Sequence, residues 1–171
     1  MVGIWGIGGI GKSTVSRVVY NSIANSFDGS CFLSNVREIS DKNGLIHLQE
    51  TLISELVKEK DVSLGDVHEG ISILRRRLHQ KKVLLILDDV VKLEQLQALA
   101  GRCDWFGFES RIIITTRDKH LLVSHGIKRV YDVEELNDEE ALTVFSWKAF
   151  KKDKVHSSYR DVVDRAILYS R

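Results

Sequence analysis

The chain of 171 residues is long enough for one domain with a real core, and its 43% hydrophobic and 29% charged residues exclude disorder, collagen-like repeats and low-complexity fibres. Twenty-five Lys and Arg stand against 24 Asp and Glu. The formal net charge of +1 therefore exerts no general pull on nucleic acid or an anionic membrane, and any phosphate binding has to be local.

No run approaches the roughly 18 apolar residues that span a bilayer. The apolar opening from Met1 to Ile10 also lacks the basic segment and cleavage site of a signal peptide, which predicts an intracellular protein. In chain order, Val2 to Trp5 is a short apolar run ending at Gly6, and beyond the glycines Val15, Val18, Val19 and Ile23 recur at helical spacing. Gly29 to Val36 predicts a second strand, closed by the polar segment Asp41 to Gly44. Leu48, Leu52, Ile53, Leu56 and Val57 then share one face of a helix between Ile46 and Lys60, and a further helix is expected over Val67 to Gln80.

Val83 to Leu87 and Arg111 to Thr115 are unbroken apolar runs, the pattern of strands covered on both faces, and Val130 to Val133 is a shorter fifth candidate. Helical patterns separate them at Leu93 to Ala100, Asp118 to Ser124 and Asp138 to Phe150, the last with Asn137 as N-cap and Glu140 at the capping-box position. This alternation predicts an α/β fold built on a parallel sheet with right-handed crossovers. From Ser157, the spacing of Tyr159, Val162, Val163, Ala166 and Ile167 predicts one more amphipathic helix, running to Arg171 without a stop signal. Together with the absence of proline, where average usage of about 5% would give roughly eight, this suggests a piece of a longer protein.

Gly6-Ile7-Gly8-Gly9-Ile10-Gly11-Lys12-Ser13 satisfies G-x-x-x-x-G-K-[ST] between a strand and a helix. Glycines let the backbone curl until the N–H groups of Gly9, Gly11, Lys12 and Ser13 face one concavity at the helix N-terminus, suited to phosphate. Lys12 supplies a full charge for the β- and γ-phosphates, and the Ser13 hydroxyl is placed to ligate Mg²⁺. Gly6, Gly8 and Gly11 also satisfy the dinucleotide fingerprint G-x-G-x-x-G, but that reading wants an acidic residue at the end of the second strand, where Ser34-Asn35-Val36 stands, and leaves Lys12-Ser13 without a role.

Asp88 and Asp89 follow the apolar run Leu84 to Leu87, the Walker B pattern at the carboxyl edge of a sheet. Asp88 is the candidate Mg²⁺ ligand, and Asp89 the candidate that polarises an attacking water, with a solvated strand end as its plainer alternative. Arg117 follows the next buried strand and is a candidate γ-phosphate sensor; alone it would read as a surface charge. The histidines are scattered, Cys31 and Cys103 lack metal-ligand or disulfide spacing, Arg75-Arg76-Arg77 reads as a solvated helix face, and Phe145, Trp147 and Phe150 read as packing.

The segments GIGGIGKST, LLILDDV, SRIIITTRDKHLL and YDVEELNDEEALTVFSWKAF, in this order, resemble the NB-ARC nucleotide-binding domain of plant disease-resistance (NBS-LRR) proteins. FLSNVREIS, and Val91 after the acidic pair, resemble the class with an N-terminal Toll/interleukin-receptor domain. The resemblance implies a P-loop NTPase of the STAND type with five parallel strands in the order 5-1-4-3-2, spanning residues 1–153, followed by the first helix of a helical subdomain over 154–171. It implies an ATP/ADP switch of an immune receptor, cytoplasmic or nuclear, ADP-bound at rest and reset by slow hydrolysis; a continuously cycling, AAA-like remodelling ATPase is the alternative. Carried onto this chain, Lys12 and Ser13 match the phosphate-loop positions, Thr14 the neighbour near the α-phosphate, Asp88 the magnesium aspartate, Asp89 the water activator and Arg117 the sensor. The partners implied are an adenine nucleotide and flanking domains of the whole protein: an N-terminal signalling domain, helical and winged-helix subdomains and leucine-rich repeats. No nucleic-acid or membrane partner is expected. Without the subdomains that close over the nucleotide, the chain is expected to bind ADP or ATP weakly.

Overall fold

A computed structural model describes residues 1–59, 61–151 and 165. Five strands, β1 (Val2–Trp5), β2 (Gly29–Leu33), β3 (Val83–Leu87), β4 (Arg111–Thr116) and β5 (Val130–Asp132), form one sheet in the order β2-β3-β4-β1-β5, with every pairing parallel. That is the expected order 5-1-4-3-2 read from the other edge. All five residues of β3 are fully buried, which is why its sequence shows no polar alternation.

The side chains of β3 divide between two cores. Leu84 and Ile86, with Ile4 and Ile113, pack against Val19, Tyr20 and Ile23 of α1 (Lys12–Ile23). Val83, Leu85 and Leu87 face the larger core, shared with α2 (Val36–Val57), α3 (Val67–Leu78) and α4 (Leu93–Ala100). A short α5 (Lys119–Ser124) lies over β1 so closely that a Cβ on Gly3 would come 2.5 Å from Leu122 Cδ1. Asp118 caps α5 by accepting from the His120 N–H at 2.8 Å.

The chain divides into two compact units, Met1–Val133 and Glu134–Arg171. The second contains α6 (Asp138–Phe150), whose expected capping box is present: Asn137 Oδ1 accepts from the Glu140 N–H at 3.0 Å, and Glu140 Oε2 from the Asn137 N–H at 2.9 Å. Phe145 is half-buried and Trp147 is exposed. The helix expected from Ser157, and the boundary at 153/154, lie outside the described residues apart from Arg165, which is helical.

One expectation is corrected. Val36 is not the end of the second strand but the first residue of α2, and the polar segment Asp41–Gly44 is helical up to a bend at Gly44 (φ +83). The strand stops at Leu33 because Asn35 takes a left-handed conformation (φ +53), after which the N–H groups of Val36 and Arg37 donate to Asp88 O and Asp89 O at 2.8 and 3.2 Å. A tertiary contact overrode the local strand signal of a β-branched residue. Cys31 is buried in β2, where burial and the Glu55 charge push its thiol up to about 12; Cys103 is exposed.

Candidate phosphate-binding site

The chain turns from β1 into a loop whose curl depends on backbone conformation. Gly9 (φ +83) and Gly11 (φ +103) are left-handed, and a Cβ on either would meet nothing within 4 Å, so the dihedral angles rather than lack of space call for glycine. Gly11 is the N-cap of α1, and Lys12 opens the helix. Lys12 is 8% exposed, and its Nζ donates to Gly6 O at 2.7 Å and Ile7 O at 2.6 Å. Burial and the Arg117 charge hold its pKa below the usual lysine range, against an opposite pull from Asp89 and Asp88.

The acidic pair leaves β3 at the same edge of the sheet. Asp88 is 3% exposed, and its Oδ1 accepts from Ser13 Oγ and from Thr115 Oγ1, both at 2.7 Å. Its main-chain N–H donates to Leu33 O at 2.9 Å, so the residue is held through its backbone by β2 and through its carboxylate by β4 and α1. Asp89 is left-handed (φ +58), with its N–H donating to Thr115 Oγ1 at 2.9 Å. Its carboxylate lies between two guanidiniums: Arg37 Nη2 is 3.1 Å from Oδ2, and Arg117 Nε is 3.8 Å from Oδ1.

Arg117 follows β4 and is held through its main chain, whose carbonyl accepts from Trp5 Nε1 at 3.1 Å. Its guanidinium lies over the glycine loop, so that a Cβ on Gly8 would come 3.0 Å from Nη1. A side chain at Gly8 would therefore press on the guanidinium, which would have to shift by a few tenths of an ångström.

These groups border one cleft of about 330 Å³. Of the residues predicted from sequence, Gly9, Gly11, Lys12, Ser13, Thr14, Asp88, Asp89 and Arg117 line it, while Gly6 and Gly8 support it from beneath through Lys12 and Arg117. Sequence reasoning missed Asn35, Arg37 and Thr115, which also line the cleft. Thr115 was detectable as the first of two hydroxyls after the apolar run Ile112–Ile114, whereas no spacing marks Arg37. The donor set of Ser13 hydroxyl and Asp88 carboxylate is all oxygen, the preference of a hard cation such as Mg²⁺. Among the described residues no group of three or more His, Cys, Asp and Glu could hold a metal, and a Mg²⁺ shared with phosphate oxygens needs none. Elsewhere His125 Nε2 lies 2.9 Å from Ala100 O, and Arg77 pairs with Glu59 at 2.8 Å.

Comparison with known proteins points the same way. Residues 1–155 match the NB-ARC domain. The chain is similar to the disease resistance protein RPV1 of Vitis rotundifolia, 41% identical over 170 residues that cover 99% of this chain and 12% of the relative. It is 38% identical over 178 residues to the TMV resistance protein N of Nicotiana glutinosa, covering 100% of this chain and 15% of the relative. With the disease resistance protein RUN1 of Vitis rotundifolia it shares 39% identity over 170 residues, or 99% and 13% of the two chains. The chain thus spans about an eighth to a seventh of these relatives' length.

Proposed function

The chain belongs to the NB-ARC domain family of nucleotide-binding proteins, and from that premise we propose that it is the ATP/ADP switch of a plant immune receptor of the Toll/interleukin-receptor class. The observation that carries this reading is the convergence of Lys12, Ser13, Asp88 and Arg117, from three strand ends, on one cleft. In this reading Gly9, Gly11, Lys12 and Ser13 present main-chain N–H groups to the phosphates, Thr14 lies near the α-phosphate, and the Lys12 ammonium exchanges its bonds to the loop carbonyls for the β- and γ-phosphates. Ser13 and Asp88 would hold Mg²⁺, which supplies charge neutralisation between the phosphates. Arg117 would distinguish triphosphate from diphosphate, because only the additional phosphate extends to it.

Asp89 would accept the proton of the attacking water. Both of its oxygens are turned toward guanidiniums, so a water has to compete with Arg37 and Arg117 for its carboxylate, which favours slow resetting over continuous turnover. Turnover well above about 1 s⁻¹, in the ordinary range of enzymes, would instead favour the remodelling ATPase. The change of nucleotide would be transmitted to flanking domains of the whole protein, in the cytoplasm or nucleus; no helix among the described residues is long and apolar enough to cross a membrane.

The test is calorimetric titration of the chain with Mg-ADP and Mg-ATP beside Lys12→Ala. Binding that is lost in the variant supports the reading, and unchanged binding overturns it. Loss of one buried charge-assisted contact predicts at least about a tenfold decrease.

A further inference from the structure

We propose that Arg37 sets the preference of this site for a nucleoside triphosphate over a diphosphate, by holding the Asp89 carboxylate away from Arg117; the inference rests on the nucleotide reading above. Among the described residues Asp89 is the one carboxylate paired with both guanidiniums, and it is the nearer to Arg37, at 3.1 Å against 3.8 Å for Arg117. The two contacts use different oxygens, Oδ2 for Arg37 and Oδ1 for Arg117, so they divide one negative charge between two cations. The division is built into the backbone. The first turn of α2 donates from the Arg37 N–H to Asp89 O at 3.2 Å, and Asp89 is held in a left-handed conformation (φ +58) that fixes where its side chain leaves the chain.

A terminal phosphate and the Asp89 carboxylate are competing anions for Arg117. While Arg37 holds Oδ2, the claim of Asp89 on Arg117 is partial, and the guanidinium can turn to phosphate at small cost. With Arg37 neutralised, Arg117 becomes the sole guanidinium facing Asp89 among the described contacts, and the γ-phosphate has to displace a full ion pair. The β-phosphate, cradled by the loop and Lys12, does not pass through that competition. Arg37 is thus a positioning residue for nucleotide selectivity, acting through Asp89 on Arg117.

The experiment measures Mg-ADP and Mg-ATPγS affinities of the chain by calorimetry. Arg37→Gln is expected to lower the ATPγS to ADP preference by about fivefold, in line with a partly exposed ion pair, and Arg37→Lys to keep it. Adding Asp89→Asn to Arg37→Gln should restore the preference, since the competitor is then neutral. In an Arg117→Ala background Arg37→Gln should leave the ratio unchanged. Equal loss for both nucleotides, or a ratio shift that persists without Arg117, overturns the role of Arg37 and leaves the nucleotide reading standing. A wild-type chain that binds neither nucleotide overturns the nucleotide reading and the inference with it.

Discussion

Ser13 and Asp88, 75 residues apart, meet through a 2.7 Å hydrogen bond from the Ser13 hydroxyl to the carboxylate, and Thr115 donates to the same oxygen at the same distance. A nearly buried anion is therefore satisfied by two hydroxyls from α1 and β4, and both bonds join elements that are far apart in the chain.

The two hydroxyls are not equal in their environment, since Thr115 is fully buried and Ser13 is exposed. Thr115→Val is expected to destabilise the fold by about 1–3 kcal/mol, because it strips a donor from a buried carboxylate and an acceptor from the Asp89 N–H. Ser13→Ala, where water can replace the donor, should cost less. Urea unfolding of both variants checks the ranking, and a larger loss for Ser13→Ala would contradict it.

Arg117 approaches the loop at Gly8 and pairs with the Asp89 carboxylate at 3.8 Å. Arg117→Ala should weaken ATP by about tenfold and ADP by roughly twofold at most. Matching decreases for the two nucleotides in direct titrations would remove the sensor role.

Among the described residues, those lining the cleft include glycines, hydroxyls, an amide and charges but no aromatic side chain on which a purine could stack. In this chain, then, affinity should come from the phosphates, and ADP and GDP should differ by less than about threefold. Competition against a fluorescent diphosphate measures this directly; strong adenine selectivity would show that a base-reading surface exists elsewhere in the chain.

Gln49 is fully buried and ties three helices together, its Nε2 donating to Val67 O and Ala98 O at 3.0 Å each. A Cβ on Gly70 would overlap the Gln49 amide, which has no space to retreat without breaking those bonds. Gly70→Ala should therefore cost about 2–4 kcal/mol, whereas an exposed helix would gain from the same change. Thermal unfolding decides between the two signs.

The local chemistry of this protein was legible along the chain. Val83–Leu87 and Leu93–Ala100 fall where the unbroken apolar run and the helical spacing put them, and the Asn137–Glu140 capping box forms as expected, because strand burial, helix periodicity and capping are short-range consequences of residue type. The glycine loop is of the same kind: the positive φ of Gly9 and Gly11 is a conformation that glycine, lacking a Cβ, adopts without steric cost.

Contacts across the sheet edge were not legible. Nothing in the spacing of Asn35, Val36 and Arg37 says that the chain turns left-handed after β2 and lays its next two N–H groups on the carbonyls of Asp88 and Asp89. Strand order alone makes those segments neighbours, since β3 pairs in parallel with β2 on one side and β4 on the other, and all three open toward the cleft. Arg37 faces Asp89, and Thr115 reaches Asp88, for that reason: an ion pair or hydrogen bond depends on separation in space, which a linear pattern of residue types does not encode and only the folded sheet establishes.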